Sequence, residues 1–203
     1  MKRLIFLLTI AAALIFADLT LSHAQNNDIS LKLDNHSMLI DGTANIRDWD
    51  SEVKKIDAEV VLKEFDLSDL SSLTAEHFKT LKLNMPVSDI ESDSRRLTRN
   101  LQDYLKGDDH PYIKFNLKSI ENVEAEDNNS AVVTAIGVIN AAGVDHEVTM
   151  TVNASVNSGT VTFSGTQDLL MTDFGIDPPT AVMGTVRARD EIQIIYSLTF
   201  SVN

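Results

Sequence analysis

The sequence contains no cysteine among its 203 residues. That absence excludes disulfide scaffolds, zinc ribbons, CxxC redox motifs, thiol nucleophiles and a lipidated N-terminal cysteine. Basic side chains are also scarce, because 17 lysines and arginines stand against 30 acidic residues, a net charge of −13. Such a chain cannot neutralise a run of phosphates, so we expect no nucleic-acid partner and no adsorption to anionic lipid.

Local enzyme signatures are missing as well, since the sequence has no HExxH, GxSxG, Walker A or GxGxxG motif. We therefore expect a protein that is not an enzyme, with no catalytic residues, no bound metal and no cofactor. A metal-dependent hydrolase is the alternative, and it needs at least three ligands to converge in space. The candidates are His36, His77, His110, His146 and nearby carboxylates.

The first 24 residues have the pattern of a secretory signal peptide. Lys2 and Arg3 precede an apolar run from Leu4 to Phe16, and Ser22 and Ala24 occupy the −3 and −1 positions of a cleavage site. A run of 13 residues is too short to span a bilayer comfortably, although an uncleaved signal anchor is the competing interpretation. We predict cleavage after Ala24, a periplasmic or secreted protein, no stable membrane insertion and a single domain at 25–203.

The rest of the chain alternates apolar and polar residues with a period of two, which is typical of β-strands. One segment differs: from Asp93 to Lys106, apolar residues recur at helical spacing, and Ser92 or Asp93 can cap the start of this helix. A second short helix is possible around Thr74–Phe78. We predict an all-β fold with one amphipathic helix. A sandwich and a closed antiparallel barrel of about eight strands both fit, and the long last strand favours the barrel, because it can pair with strands on both sides.

Four clusters of residues, in order along the chain, resemble the YceI-like family of exported, lipocalin-like lipid-binding proteins. The first reads HSMLIDGTAN at 36–45 and is followed by Asp48-Trp49; the second reads DHPYIKF at 109–115; the third reads AIGVINAAGV at 135–144 and continues into VTMTV at 148–152; the last reads TDFGI at 172–176 and precedes Pro178-Pro179. The resemblance implies a lipocalin-like closed barrel with a helix on one side. It also implies a lumen that holds a polyisoprenoid, such as a prenyl quinone or prenyl phosphate.

A lumen of this kind would be lined by the apolar strand faces and by the helix. The predicted lining residues are Phe115, Met150, Phe163, Tyr196, Met85 and Leu101. Arg95 and Arg99, one helical turn apart in the chain's dense basic cluster, are possible contacts for a polar head group. We therefore expect a non-catalytic carrier of an isoprenoid or other long-chain amphiphilic lipid. The alternative is a structural or stress-related envelope barrel with a filled core. The sequence leaves the oligomeric state open, with a homodimer as one possibility.

Overall fold

Antiparallel β-strands form most of the molecule, as the period-2 alternation predicts. A computed structural model describes residues 28–181 and 185–202, so the predicted signal peptide at 1–24 lies outside the described residues. The strands are β1 (Ile29–Ala44), β2 (Trp49–Val53), β3 (Asp57–Leu62), β4 (Phe78–Pro86), β5 (Ile90–Ser92), β6 (Tyr112–Ala125), β7 (Ser130–Ala141), β8 (Val144–Asn157), β9 (Thr160–Leu170), β10 (Thr180–Ala181) and β11 (Val186–Val202).

Eight of these strands close into a barrel in the order β1-β3-β4-β6-β7-β8-β9-β11, and β11 returns to β1. The closing ladder is long, running from the Leu31–Val202 pair to the Ala44–Ala188 pair, with two bulges. On its other side β11 pairs with β9 over eleven consecutive positions. The prediction of a closed antiparallel barrel is confirmed. The long last strand closes it by pairing with β1 on one side and β9 on the other, as the sequence analysis expected.

The strand β1 changes neighbours along its length. Residues Ile29–Leu31 pair with β3, whereas Leu39–Gly42 pair with β2, and β2 pairs in turn with β5. The strands β2 and β5 therefore form a short extension at one end of the barrel wall. The two-residue strand β10 pairs with the start of β11 at the same end.

The helix α1 (Arg95–Tyr104) follows β5 directly and is shorter than the predicted span. Its N-cap is Ser94, whose Oγ accepts a hydrogen bond from the Leu97 amide. We expected Ser92 or Asp93 in that position, but Ser92 is the last residue of β5 and its amide donates to Thr98 Oγ1. The second short helix is a single 3₁₀ turn at Ala75–His77, which ends where β4 begins.

The barrel strands bury alternate side chains inward, and β7 has the smallest of them. Ala131, Val133, Ala135 and Ala141 are buried on the inner face. The residues at 132, 134, 136 and 138 are half-buried on the outer face. Because alanine fills little volume, the inner face of β7 leaves room in the middle of the barrel. In the described part of the chain, no helix combines the length and the apolarity that crossing a bilayer requires.

Candidate functional site

A cavity of about 180 Å³ lies inside the barrel. Its walls come from strands around the barrel, from β2 and from α1, and all of its lining residues are hydrophobic. For scale, a cavity of roughly 150 Å³ holds one benzene-sized molecule. The barrel interior is therefore hollow and apolar rather than filled by its own side chains; we call this cavity the lumen.

All six residues predicted to line a lumen do so. Leu101 reaches it from α1, and the others come from five different strands of the barrel. The full set is Phe115, Met150, Phe163, Tyr196, Met85 and Leu101. That these residues contact a ligand stays a prediction, because their position alone does not identify what occupies the space.

Two aromatic side chains of the lumen lie directly over glycines of a neighbouring strand. A Cβ atom placed on Gly137 would come within 2.2 Å of the Phe115 ring. A Cβ atom on Gly165 would come within 2.7 Å of the Tyr196 hydroxyl. Because these glycines have no side chain, Phe115 and the hydroxyl end of Tyr196 pack directly against the backbone of the neighbouring strand.

The Tyr196 hydroxyl is the one hydroxyl group among the lumen-lining residues, and it is buried without a hydrogen-bond partner in the described part of the chain. Burial raises the pKa of this phenol to about 12, because the ionised form would lose its hydration. The hydroxyl stays protonated at neutral pH, and it can donate a hydrogen bond to a group that reaches it.

A second cavity of about 300 Å³, which we call the outer pocket, lies between α1, the β1–β2 turn and the segment that leads into β11. Trp49, the one tryptophan of the sequence, lines it and packs over Gly42. Unlike the lumen, this pocket has polar side chains as well as apolar ones. Its lining residues with a polar side-chain group are Arg47, Asp48, Trp49, Asp50, Ser51, Ser92, Asp93, Asn100, Tyr104 and Thr180.

Three apolar side chains separate the two cavities. Leu101 of α1, the C-cap residue Leu105 and Ile176 line both the lumen and the outer pocket. These three side chains are all aliphatic, and if they moved apart the two spaces would join. A single elongated molecule can then extend from the outer pocket into the lumen.

Arg95 and Arg99, the predicted head-group contacts, are placed differently. Both are exposed, and neither lines the lumen or the outer pocket. With roughly 3.6 residues per helical turn, Arg99 lies about half a turn around α1 from Leu101, and Arg95 about a third of a turn. A contact between these arginines and a bound ligand stays a prediction that the side-chain placement does not support.

Residues able to hold a metal ion are dispersed. Among the described residues, no three histidine, aspartate or glutamate side chains come together as a metal site. In one pair of such residues, His146 Nε2 lies 3.5 Å from Asp173 Oδ2.

The comparison with known proteins matches this geometry. The sequence-family model described as the YceI-like domain matches residues 25–200 of this chain. The chain belongs to the YceI-like family. Among solved structures of YceI-like fold, BcnA from Burkholderia cenocepacia has a TM-score of 0.63 at 19% identity, covering 83% of this chain and 99% of BcnA. No curated protein matches the sequence.

Two further structures share the fold of this YceI-like barrel. The YCEI protein of Campylobacter jejuni has a TM-score of 0.55 at 17% identity, covering 78% of this chain and 85% of its own. A polyisoprenoid binding domain from Saccharophagus degradans, implicated in plant cell wall breakdown, has a TM-score of 0.62 at 6% identity, covering 86% of this chain and 98% of its own. At these identities the likeness establishes the fold alone.

The sequence analysis missed the outer pocket. Its walls come from segments at residues 44–51, 92–105, 171–180 and 186–188, and the first two of these are far in the chain from the others. The signals that could have indicated it were Asp48-Trp49 and the helical stripe containing Leu101 and Leu105, but neither shows that the other lies beside it.

Proposed function

We propose that this protein is an exported, non-catalytic binding protein that holds an isoprenoid or similar long-chain amphiphilic lipid in its barrel. The observation that carries the proposal is the hollow, wholly apolar lumen inside a closed barrel. Family membership and the likeness to a polyisoprenoid binding domain support it. The export signal at 1–24 supports a periplasmic or secreted location.

The size of the two cavities supports a ligand that occupies both. At the density of one benzene in roughly 150 Å³, the lumen takes about seven carbon atoms and the outer pocket about twelve. A chain of about twenty carbons therefore passes between Leu101, Leu105 and Ile176. Each buried methylene contributes about 0.8 kcal/mol, so such a chain binds without many polar contacts.

The lining of the lumen supports binding without covalent chemistry. Its described residues include no histidine, carboxylate, lysine or serine, and the Tyr196 hydroxyl is protonated at neutral pH. General acid–base or nucleophilic catalysis needs such groups within reach of the reacting atom. We expect the bound lipid to be recovered chemically unchanged.

Native mass spectrometry of protein purified from its own host, followed by lipid extraction, tests the proposal. We expect a mass above that of the chain beginning at Gln25, and an extract that contains a long-chain lipid in nearly stoichiometric amount. Recovery of lipid-free protein that also takes up no added lipid would favour the alternative, an envelope barrel without a ligand.

A matched pair of variants locates the lipid. Ala135 is buried and lines the lumen, so Ala135→Leu adds three carbon atoms to the space that the lipid needs. Thr134 is the neighbouring residue on the outer face, and Thr134→Leu is the control of equal final size. We expect the first variant to fold and to lose at least tenfold in lipid affinity, and the second to bind as the wild type does. Equal binding by both would place the lipid outside the lumen.

A further inference from the structure

The charges around the outer pocket limit what the polar end of the ligand can be. The lumen lining exposes no polar atom, because the Tyr196 hydroxyl is itself buried, so the polar end of a lipid that enters the lumen stays in the outer pocket, which has polar lining residues. Among the described residues that line this pocket are three carboxylates, Asp48, Asp50 and Asp93, and a single cation, Arg47.

The one cation is already paired. Arg47 Nη2 lies 3.4 Å from Asp93 Oδ2, so an anionic group of a ligand has to compete with Asp93 for this guanidinium. Asp48 and Asp50 have no ion pair or hydrogen bond with any described side chain. The pocket therefore presents two uncompensated negative charges to whatever enters it.

Other cations near the pocket face elsewhere. Arg95, Arg96 and Arg99 are exposed on α1 and line neither cavity. On β11, the pocket is lined by Val186 and Ala188, and Arg187 between them lies on the opposite face of the strand. At the start of α1, the Leu97 amide has its own acceptor in Ser94 Oγ.

From these observations, and assuming the proposed function, we infer that the polar end of the bound lipid is uncharged or cationic rather than a phosphate. A hydroxyl, a quinone carbonyl or an amide hydrogen-bonds in the pocket without facing a like charge, and an amine is attracted to Asp48 and Asp50. A phosphate has to compete with Asp93 for Arg47 and to approach the carboxylates of Asp48 and Asp50. The carboxylates are exposed, so the discrimination is moderate and weakens with salt.

The test uses three lipids with the same twenty-carbon prenyl chain: the alcohol, the amine and the monophosphate. Delipidated protein is titrated with each in 20 mM and in 500 mM NaCl, and Trp49 fluorescence reports occupancy of the outer pocket. At low salt we expect the alcohol and the amine to bind about fivefold to thirtyfold more tightly than the phosphate. At high salt that ratio shrinks.

Variants show whether the pocket carboxylates cause the difference. Asp48→Asn with Asp50→Asn removes two charges at nearly constant shape, and we expect the ratio of alcohol affinity to phosphate affinity to fall at least threefold. Glu64→Gln with Glu126→Gln is the matched control, because both glutamates are exposed and lie at the opposite end of the barrel. We expect this control to have the wild-type ratio of alcohol affinity to phosphate affinity.

Two results would overturn the inference, and they are distinguishable. If the phosphate binds as tightly as the alcohol or more tightly in 20 mM NaCl, the polar end is not selected by these charges, while the proposed function stands. If the alcohol, the amine and the phosphate all fail to bind, the proposed function fails, and the inference fails with it.

Discussion

At the scale of single residues, glycine and aromatic side chains are paired across the strands. Phe115 covers Gly137, and Trp49 covers Gly42 in the same way, since in each pair a Cβ atom added to the glycine would lie only 2.2 Å from the nearest ring atom. In both pairs the glycine is useful because it has no side chain, not because its backbone is unusual. The aromatic ring gains an apolar surface to lie on, and the barrel wall gains a cover where side chains are missing.

Gly137→Ala tests this pairing directly. The new methyl group would overlap the Phe115 ring, so we expect a loss of about 1–3 kcal/mol in the free energy of unfolding, measured by urea denaturation. The double variant Phe115→Leu with Gly137→Ala is the control, and its loss should be smaller than the sum of the two single losses. Wild-type stability of Gly137→Ala would contradict the account.

Tyr196→Phe tests the buried hydroxyl. The substitution removes a polar atom that has no partner among the described residues, so at pH 7 we expect a gain of about 1 kcal/mol in the free energy of unfolding. Urea denaturation of the variant and the wild type measures the difference. A clear loss of stability would mean that the hydroxyl makes a hydrogen bond in solution.

The same substitution has a predicted pH dependence. The pKa of Tyr196 is raised from 10.0 to about 12, so between these values the unfolded chain ionises at this position and the folded chain does not. Stability that is fully present below pH 10 is then lost as the pH rises to 12, by roughly 2–3 kcal/mol. Tyr196→Phe should lack that part of the loss. Parallel pH curves for the two proteins, from urea denaturation, would contradict it.

At the scale of elements, the turn after β1 is tied to the start of β11 by one side chain. Asn45 Nδ2 donates to the Thr185 carbonyl at 2.9 Å, and Asn45 Oδ1 accepts from the Arg187 amide at 2.9 Å. The asparagine that ends the first family-like cluster therefore holds together two walls of the outer pocket.

Asn45→Ala removes both side-chain hydrogen bonds, and we expect a loss of about 1 kcal/mol in the free energy of unfolding, because the site is exposed to water. Hydrogen exchange at the Arg187 amide should become faster. Asn45→Asp is the control, since it keeps the acceptor for that amide and loses only the donor to Thr185. Unchanged exchange in Asn45→Ala would show that the tie is not formed in solution.

The helix shows which properties of an element were predictable. Its apolar stripe correctly predicted that Leu101 faces inward, because amphipathic spacing reports the buried face of a helix. The capping residue was predicted one or two positions too early, because β5 extends through Ser92 and delays the start of α1. Whether Arg95 and Arg99 meet a ligand depends on where the pocket lies, and helical spacing contains no information about that.

At the scale of the whole molecule, stability depends on the closure between the first strand and the last. Ser197 lies in the middle of β11, pairs with Ser37 on one side and Ser164 on the other, and does not line the lumen. A residue in the interior of a sheet contributes its backbone N–H to the hydrogen bonds between strands, and proline at position 197 would remove that donor.

Ser197→Pro should therefore cost at least about 3 kcal/mol in the free energy of unfolding, which urea denaturation monitored by circular dichroism measures. The control is Ser197→Val, which keeps the amide and suits a strand, and it should be close to the wild type. If Ser197→Pro unfolds at the wild-type urea concentration, closure through β11 is not what holds the barrel together.

The sequence by itself determined the strands, the inward faces, the helix and the family, because hydrophobic periodicity and short motifs are local properties of the chain. It therefore placed Phe115 and Tyr196 on the lumen correctly. Only the tertiary structure decided that the lumen is hollow and that Leu101, Leu105 and Ile176 separate it from a second pocket. These features depend on the volumes and charges of side chains that come from distant segments of the chain. A local sequence pattern does not show which distant side chains meet.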